Sequence, residues 1–214
     1  MHSFQLTKTV TERFSAIEPH IGAGRVLDVG CVDARRQKGA SGERLRKPNH
    51  LFRKLIEAGS NVCGVDIDAE GVKELKTQGF EVLCEDACSM KLDECFDTIV
   101  AGEIIEHVDN VGLFLANLRA HLKPSGVLMV STPNPFYAGQ AWKIWRHAKP
   151  QVHEDHVAWF DPATLSVAMR RAGLEPFDGF WVQPRVSAKI WKSFFRGYFR
   201  HSFIILARPK SAND

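Results

Sequence analysis

Apolar and polar positions follow two different periods along this chain. Short apolar runs such as 26–29 and 62–65 have the length and flanking residues of buried strands. Other segments place apolar residues three or four positions apart, which is typical of amphipathic helices. The predicted strands cover 25–30, 61–66, 80–84, 96–101, 127–131, 176–182 and 202–208. The predicted helices cover 5–18, 50–58, 69–78, 109–122, 138–147 and 162–172, and four of them are expected to be capped or started by Asn49, Asp68, Asp109 and Asp161.

This order of elements predicts an α/β fold. Strands alternate with helices over most of the chain, which favours a mostly parallel sheet with helices on both faces. Residues 35–48 are polar, basic and glycine-rich, so we expect an inserted loop there. Because no internal repeat or linker divides the sequence, we predict one domain spanning 1–214.

Length and composition narrow the class of protein. A chain of 214 residues is long enough for one domain with a sizeable core. The formal net charge of +3 does not indicate nucleic-acid binding. The five cysteines form no C-x-x-C pair, and the N-terminus has no signal-peptide pattern, so we expect a cytoplasmic protein with reduced thiols. No apolar run approaches the roughly 20 residues of a membrane span.

Three acidic residues accompany successive predicted strands. Asp66 ends the second strand, where a carboxylate can accept hydrogen bonds from both hydroxyls of a ribose. Asp86 follows the third strand and can accept a hydrogen bond from the exocyclic amine of adenine. Asp28 lies within the first strand and needs a partner, either an ammonium group or backbone donors. Each acid alone can also be a helix cap or a turn residue, but their joint placement predicts a nucleoside crevice at the sheet edge.

The turn after the first strand argues against a dinucleotide. A pyrophosphate site needs the pattern G-x-G-x-x-G, which lets the backbone approach the phosphates. Here Val32 stands where the second glycine belongs, and Asp33 adds a negative charge that would repel phosphate. A nicotinamide-dependent oxidoreductase is therefore disfavoured, whereas a cofactor without phosphate remains compatible.

Four sequence blocks resemble one enzyme family. The run Val26-Leu27-Asp28-Val29-Gly30-Cys31 resembles motif I of the class I S-adenosylmethionine-dependent methyltransferases. Residues 96–108 are similar to the strand-four motif of the subgroup that contains the ubiquinone-biosynthesis O-methyltransferases. Residues 122–128 and 156–174 resemble that subgroup's turn into strand five and its late region. Together the blocks cover about residues 24–182 in the expected order.

The resemblance implies a Rossmann-like, doubly wound, mostly parallel sheet of seven strands, the last one antiparallel. It also implies S-adenosylmethionine as cofactor, with S-adenosylhomocysteine as product. Val32 and Ala34 replace glycines that are usual in motif I, which keeps open a catalytically inactive binding or scaffold domain. The residues expected to contact the cofactor are Asp28, Gly30, Cys31, Asp66, Ile67, Asp86, Ala87 and Glu103.

Two histidines are the candidate catalytic residues. A sulfonium is already a strong electrophile, so the protein mainly aligns the acceptor, and a hydroxyl acceptor gains from a general base. His107 follows the fourth strand and His156 lies in a loop, and both are suited to proton transfer near neutral pH or to a structural role. The run 153–156 contains four potential metal ligands, but successive residues on regular backbone cannot all face one ion. We therefore predict no metal site.

The acceptor is predicted to be a small molecule, with a hydroxyl oxygen favoured, or a group linked to a lipid or glycan. Residues 185–200 carry aromatic residues at helical spacing among lysines and arginines. Such a helix in the insertion 183–200 either covers the sheet or makes a peripheral membrane contact. The sequence leaves the oligomeric state open.

Overall fold

The computed structural model describes residues 4–22, 24–36, 44–183 and 197–210, with side chains described at all of these positions except 34–36 and 44–48. The helices are α1 Phe14–Ile17, α2 His50–Glu57, α3 Ala69–Thr77, α4 Val111–Ala120, α5 Ala138–His147 and α6 Pro162–Arg171. The strands are β1 Lys8–Val10, β2 Arg25–Val29, β3 Val32–Arg36, β4 Arg44–Pro48, β5 Asn61–Asp66, β6 Val82–Cys84, β7 Phe96–Gly102, β8 Leu122–Pro133, β9 Leu174–Val182 and β10 Ser202–Pro209.

Eight of the strands form one sheet in the order β1-β9-β10-β8-β7-β2-β5-β6. Strands β8, β7, β2, β5 and β6 pair in parallel, and β10 runs antiparallel to both of its neighbours. The predicted α/β class and the antiparallel last strand are therefore confirmed. The sheet has one strand more than the predicted seven because β1 pairs with β9 at the edge.

Buried apolar residues form one cluster on each face of the sheet. Successive residues of a strand point to opposite faces. Along β2, Leu27 accordingly belongs to one cluster and Val26 to the other. Strands buried on both faces read as continuous apolar runs, which is why the central strands could be found in the sequence.

The predicted N-terminal helix over 5–18 is wrong. Lys8–Val10 is a strand whose Thr9 pairs in parallel with Trp181 of β9. The α-helix is confined to Phe14–Ile17, and a 3-10 turn over Glu18–His20 follows it. The segment is rich in threonine and valine, which favour strands. The otherwise unpaired edge of β9 supplies hydrogen-bond partners, and the Trp181 indole donates to the carbonyl of Leu6 at 3.1 Å.

The predicted loop over 35–48 is also wrong at the positions that the structure describes, 35–36 and 44–48, while residues 37–43 lie outside the described residues. Val32–Arg36 and Arg44–Pro48 form an antiparallel pair in which Val32 lies opposite Pro48. Backbone groups of a polar segment need partners, and here the two arms satisfy each other. The turn after β2 therefore leads into a strand, and the next helix, α2, begins only at His50.

Several helix ends agree with the sequence. The side chain of Asn49 accepts a hydrogen bond from the Phe52 amide at 2.7 Å and caps α2, as predicted. Asp68 caps α3, and Asp161 caps α6 in a capping box with Thr164. Helix α4 differs from the prediction because Asn110, rather than Asp109, is its cap.

The C-terminal insertion is described only in part. The predicted helix over 185–200 falls mainly on residues 184–196, outside the described residues, and Gly197–Phe199 forms one 3-10 turn. Among the described residues, no helix combines the length and apolar character that crossing a membrane would need.

Candidate functional site

A cavity of about 490 Å³ opens at the carboxyl ends of the parallel strands. This size lies within the range of small-molecule sites. Its walls come from the segments that follow β2, β5, β6 and β7, together with the start of α4. The lining residues are Val29, Gly30, Val65, Asp66, Ile67, Glu85, Asp86, Ala87, Cys88, Ile104, His107, Val108, Asp109, Asn110 and Phe114.

Asp66 organises the wall between β2 and β5. One carboxylate oxygen accepts a hydrogen bond from the Val32 amide at 2.9 Å, and the other accepts one from the Asp68 amide at 3.0 Å. Burial is the largest influence on the Asp66 carboxyl and raises its pKa. These two bonds fix the carboxylate at the cavity while each oxygen keeps a further lone pair for a ligand hydroxyl.

The turn at Gly30 brings the backbone close to the cavity. Gly30 has φ +82°, and a Cβ added there would lie 3.2 Å from Cδ1 of Ile104. The Gly30 amide donates to the carbonyl of Val65 at 2.8 Å, which ties the turn to β5. A side chain at this position would be strained and would fill space at the mouth of β2.

Asp28 is buried behind this turn, at 1% exposure. The amide group of Asn49 lies 3.4 Å from Oδ2, and Oδ1 has no hydrogen-bond partner among the described residues. Burial raises the pKa of Asp28 to about 8. Asp28 is not among the residues that line the cavity, so its contact with a cofactor ammonium stays a prediction.

The charge of the cavity wall distinguishes between ligands. Asp66, Glu85, Asp86 and Asp109 contribute four carboxylates, and no lysine or arginine is found among the described residues that line the cavity. Such a wall attracts a cation and repels phosphate. The residues present therefore fit S-adenosylmethionine, whose sulfonium and ammonium outweigh its one carboxylate and which carries no phosphate.

The predicted cofactor residues do not all reach this cavity. Gly30, Asp66, Ile67, Asp86 and Ala87 line it. The thiol of Cys31 instead points into the core, where a Cβ on Gly64 would lie 2.7 Å from its sulfur. Glu103 lines a second cavity of about 240 Å³ with Arg13, whose guanidinium lies 3.1 Å from the Glu103 carboxylate.

The two predicted catalytic histidines lie together at one end of the site. His107 lines the cavity, and its ring centroid is 4.7 Å from that of His156. Nδ1 of His107 lies 3.1 Å from the carbonyl oxygen of Asp155. A proton on Nδ1 would donate to that carbonyl and leave Nε2 with a free lone pair, which is the form that a general base needs. Burial is the largest influence on His156 and lowers its pKa.

Glu106 is a residue that the sequence reasoning missed. Its side chain is 2% exposed and accepts a hydrogen bond from the Thr132 hydroxyl at 2.9 Å. Burial raises its pKa from 4.5 to about 7. Its carbonyl accepts from the amide of Val157 at 2.9 Å, which joins the His156 loop to the turn after β7. The only signal in the sequence is its position directly before His107.

Glu106, His107 and His156 each offer a ligand atom, and these atoms lie within 4.8 Å of one another. A carboxylate and two imidazoles are ligands that divalent transition metals accept. The prediction of no metal site considered only residues 153–156. Of these four residues, only His156 belongs to the trio of Glu106, His107 and His156. The trio can therefore hold a proton or a divalent cation.

Comparison with known proteins also indicates a methyltransferase fold. A family model described as a methyltransferase domain matches residues 3–177. A ubiquinone biosynthesis O-methyltransferase from Bradyrhizobium diazoefficiens is 32% identical over 120 residues, which are 53% of this chain and 42% of the relative. The chain thus spans less than half the length of that relative.

Solved structures share the fold at low sequence identity. The CcbJ methyltransferase from Streptomyces caelestis superposes with a TM-score of 0.64 at 13% identity, covering 91% of this chain and 87% of the other. The 1,6-didemethyltoxoflavin-N1-methyltransferase from Burkholderia thailandensis, solved with S-adenosylhomocysteine, gives a TM-score of 0.60 at 19% identity and covers 92% and 76%.

Proposed function

Because this chain belongs to the class I S-adenosylmethionine-dependent methyltransferase family, we propose that it transfers a methyl group from S-adenosylmethionine to a hydroxyl oxygen of a small-molecule acceptor. The observation that carries this proposal is the cavity at the sheet edge, with four carboxylates and no lysine or arginine among the described lining residues. This chemistry suits a cationic nucleoside cofactor.

Three residues contact different parts of the cofactor. Asp66 accepts hydrogen bonds from the ribose hydroxyls, and its own bonds to the backbone keep it in place. Asp86 lies after the next strand, where its carboxylate accepts from the adenine amine. The turn at Gly30 leaves room for the methionine part. When bound, the cofactor supplies an electrophilic methyl group on its sulfonium.

The trio defined by Glu106, His107 and His156 assists the acceptor. His107 is the member that lines the cavity, so we assign it the acceptor proton. Glu106 stabilises the imidazolium that would form, since its ligand atom lies within 4.8 Å of those of both histidines. Whether the trio accepts the acceptor proton can be tested directly from the dependence of turnover on pH.

A hydroxyl acceptor is favoured over an amine for two reasons. A hydroxyl gains from a nearby base, and such a base is present at the cavity. The relative from Bradyrhizobium diazoefficiens is named as an O-methyltransferase. A catalytically inactive binding domain is the alternative that the replacements Val32 and Ala34 suggested. The Val32 amide still binds Asp66, which supports an intact cofactor site.

The test has two stages. Calorimetry with S-adenosylhomocysteine measures cofactor binding, and a labelled-methyl assay compares catechols and hydroxybenzoates with the corresponding anilines. We expect cofactor binding and transfer to the oxygen series. Absence of binding would refute the methyltransferase proposal, and binding with no transfer to either series would favour the inactive domain. Transfer only to the amines would refute the assignment to oxygen.

A metal-assisted reaction is the other role that the trio permits. Under the proposed proton transfer, treatment with EDTA leaves turnover unchanged. Loss of turnover on chelation, followed by recovery with Mg²⁺ or Zn²⁺, would assign the trio to a divalent cation instead. His153→Ala provides a control, because its ring lies 5.4 Å from His156 but outside the trio.

A further inference from the structure

The large apolar residues of helix α5 face solvent instead of the core. Successive residues of a helix turn by about 100°, so Ala138, Ala141, Trp142 and Trp145 share one stripe. In a surface helix such a stripe normally packs on the core. Here the one residue of α5 that is buried is Gln140, whose amide donates to the carbonyl of Gln151 at 2.9 Å.

The two tryptophans of this stripe are strongly exposed. Trp142 is 61% exposed and Trp145 is 74% exposed, and their ring centroids lie 4.9 Å apart. Ile144, on the flank of the stripe, is 42% exposed. Exposing large aromatic surface costs free energy in water, so a contiguous pair at one helix face indicates an apolar partner.

The charged residues of α5 and of the two residues after it are all basic. They are Lys143, Arg146 and Lys149, and the next acids along the chain are Glu154 and Asp155. Arg146 lies next to Trp142 on the helix surface, where its long side chain can reach past the tryptophan rings. The face therefore combines exposed aromatic residues with the adjacent positive charge of Arg146.

We propose that α5 is a docking surface for an anionic lipid membrane. Tryptophan is favoured at the boundary between lipid headgroups and acyl chains, and lysine and arginine add attraction to anionic headgroups. The helix lies in the plane of the membrane surface with Trp142 and Trp145 inserted. This proposal concerns a described helix and leaves the alternative roles of 185–200 untested, and it does not depend on the proposed reaction.

A membrane fits these observations better than a second copy of the chain. A two-fold dimer brings the same patch of both copies together. Arg146, which flanks the stripe, would then lie close to its own counterpart, and α5 itself contains no acid to pair with it. Anionic headgroups provide the complementary charge.

The position of α5 also has a consequence for the site. Strand β8 runs parallel to β7, so both strands end at the edge of the sheet that carries the cavity. Helix α5 begins five residues after the last residue of β8, Pro133. Docking through α5 would therefore hold this edge of the sheet near the lipid surface.

Flotation with vesicles of phosphatidylglycerol and phosphatidylcholine, compared with phosphatidylcholine alone, tests the proposal on the full chain. We expect binding to the anionic vesicles only. The double substitution Trp142→Ala/Trp145→Ala should lower the partition coefficient at least about tenfold. Reversing Arg146 and Lys149 to glutamate should lower it by about fivefold or more per position.

Matched controls separate the helix face from general effects. Trp159→Ala removes another exposed tryptophan, and Lys73→Glu/Lys76→Glu reverses two exposed charges on α3; neither should change partitioning. Thermal unfolding checks that each variant is folded. Failure of the wild type to bind anionic vesicles, or binding that survives both α5 variants, would overturn the proposal. A concentration-dependent dimer abolished by the tryptophan variant would overturn it in favour of a second copy.

Discussion

The Thr132 hydroxyl donates a hydrogen bond of 2.9 Å to the carboxylate of Glu106, which is buried beside the proposed active site. Thr132 lies near the end of β8 and Glu106 in the turn after β7, so the bond joins neighbouring strand ends. One hydrogen bond does not replace the hydration that a carboxylate loses on burial. Glu106 consequently holds its proton to a higher pH than an exposed glutamate does.

The first prediction concerns stability. Burial raises the pKa of Glu106 from 4.5 in its ordinary state to about 7. Between these values the folded protein binds more protons than the unfolded chain, so the free energy of unfolding decreases as the pH rises. We expect Glu106→Gln to be more stable than wild type at pH 8, by on the order of 2–3 kcal/mol. Near pH 4.5 the difference should largely disappear.

Urea unfolding of both proteins at several pH values measures this difference. The exposed Glu57→Gln is the control and should show no such dependence on pH. A Glu106→Gln variant that is less stable than wild type at every pH would show that the ionised carboxylate is stabilising.

The second prediction concerns proton transfer. His107→Ala should lower kcat by about 10²-fold or more, the usual contribution of a general base. Affinity for S-adenosylhomocysteine should change much less, because Asp66 and Asp86 are unaltered. Steady-state kinetics and calorimetry measure the two effects separately. The exposed His147→Ala serves as control, and equal losses in kcat for both variants would contradict the role of His107.

Activity should also depend on pH. As the pH rises through about 7, the pKa of Glu106, its carboxylate becomes charged and can stabilise a protonated imidazole. We therefore expect kcat to increase over this range in wild type, and we expect a flatter profile for Glu106→Gln. Identical profiles for the two proteins would exclude Glu106 from the proton-transfer step.

The third prediction concerns the ribose contact. Asp66→Ala removes the carboxylate that binds the amides of Val32 and Asp68, so it should weaken affinity for S-adenosylhomocysteine at least about tenfold. Asp66→Asn keeps one acceptor oxygen, so its affinity for S-adenosylhomocysteine should lie between those of wild type and Asp66→Ala. Calorimetry measures both, with the exposed Asp93→Ala as control. Unchanged affinity of Asp66→Ala would remove the basis for the cofactor site.

The fourth prediction compares two glycines. Gly30 has φ +82° and Gly59 has φ +78°, so an alanine at either position should cost about 1–2 kcal/mol of stability. At Gly30 the added Cβ lies 3.2 Å from Ile104, whereas at Gly59 no heavy atom lies within 4 Å. Only Gly30→Ala should also weaken cofactor binding. Equal cofactor affinity of the two variants would mean that the turn does not form the site.

Part of this site could be predicted from the local sequence pattern. The carboxyl ends of neighbouring parallel strands meet at one edge of a sheet, so Asp66 and Asp86, each placed after an apolar run, had to lie near each other. Both line the same cavity. The caps Asn49 and Asp68 were also readable, because capping depends on residues three positions apart.

Contacts between segments that are distant in sequence could not be predicted from the local pattern. Glu106 meets Thr132 and His156 only because the turn after β7, the end of β8 and the loop 153–158 converge. The pairing of Lys8–Val10 with β9 likewise depends on a free sheet edge far along the chain. In helix α5 the sequence contains the apolar stripe, but the fold decides that Gln140 faces inward and the tryptophans outward.

The sequence by itself therefore determined the central parallel strands, the helices that follow them, the acids at the strand ends and the family. Tertiary structure decided which side chains are buried, which carboxylates are ionised and which apolar surface stays uncovered. The physical reason is that periodicity and capping act within a few residues, whereas burial and electrostatics depend on every segment packed around a group.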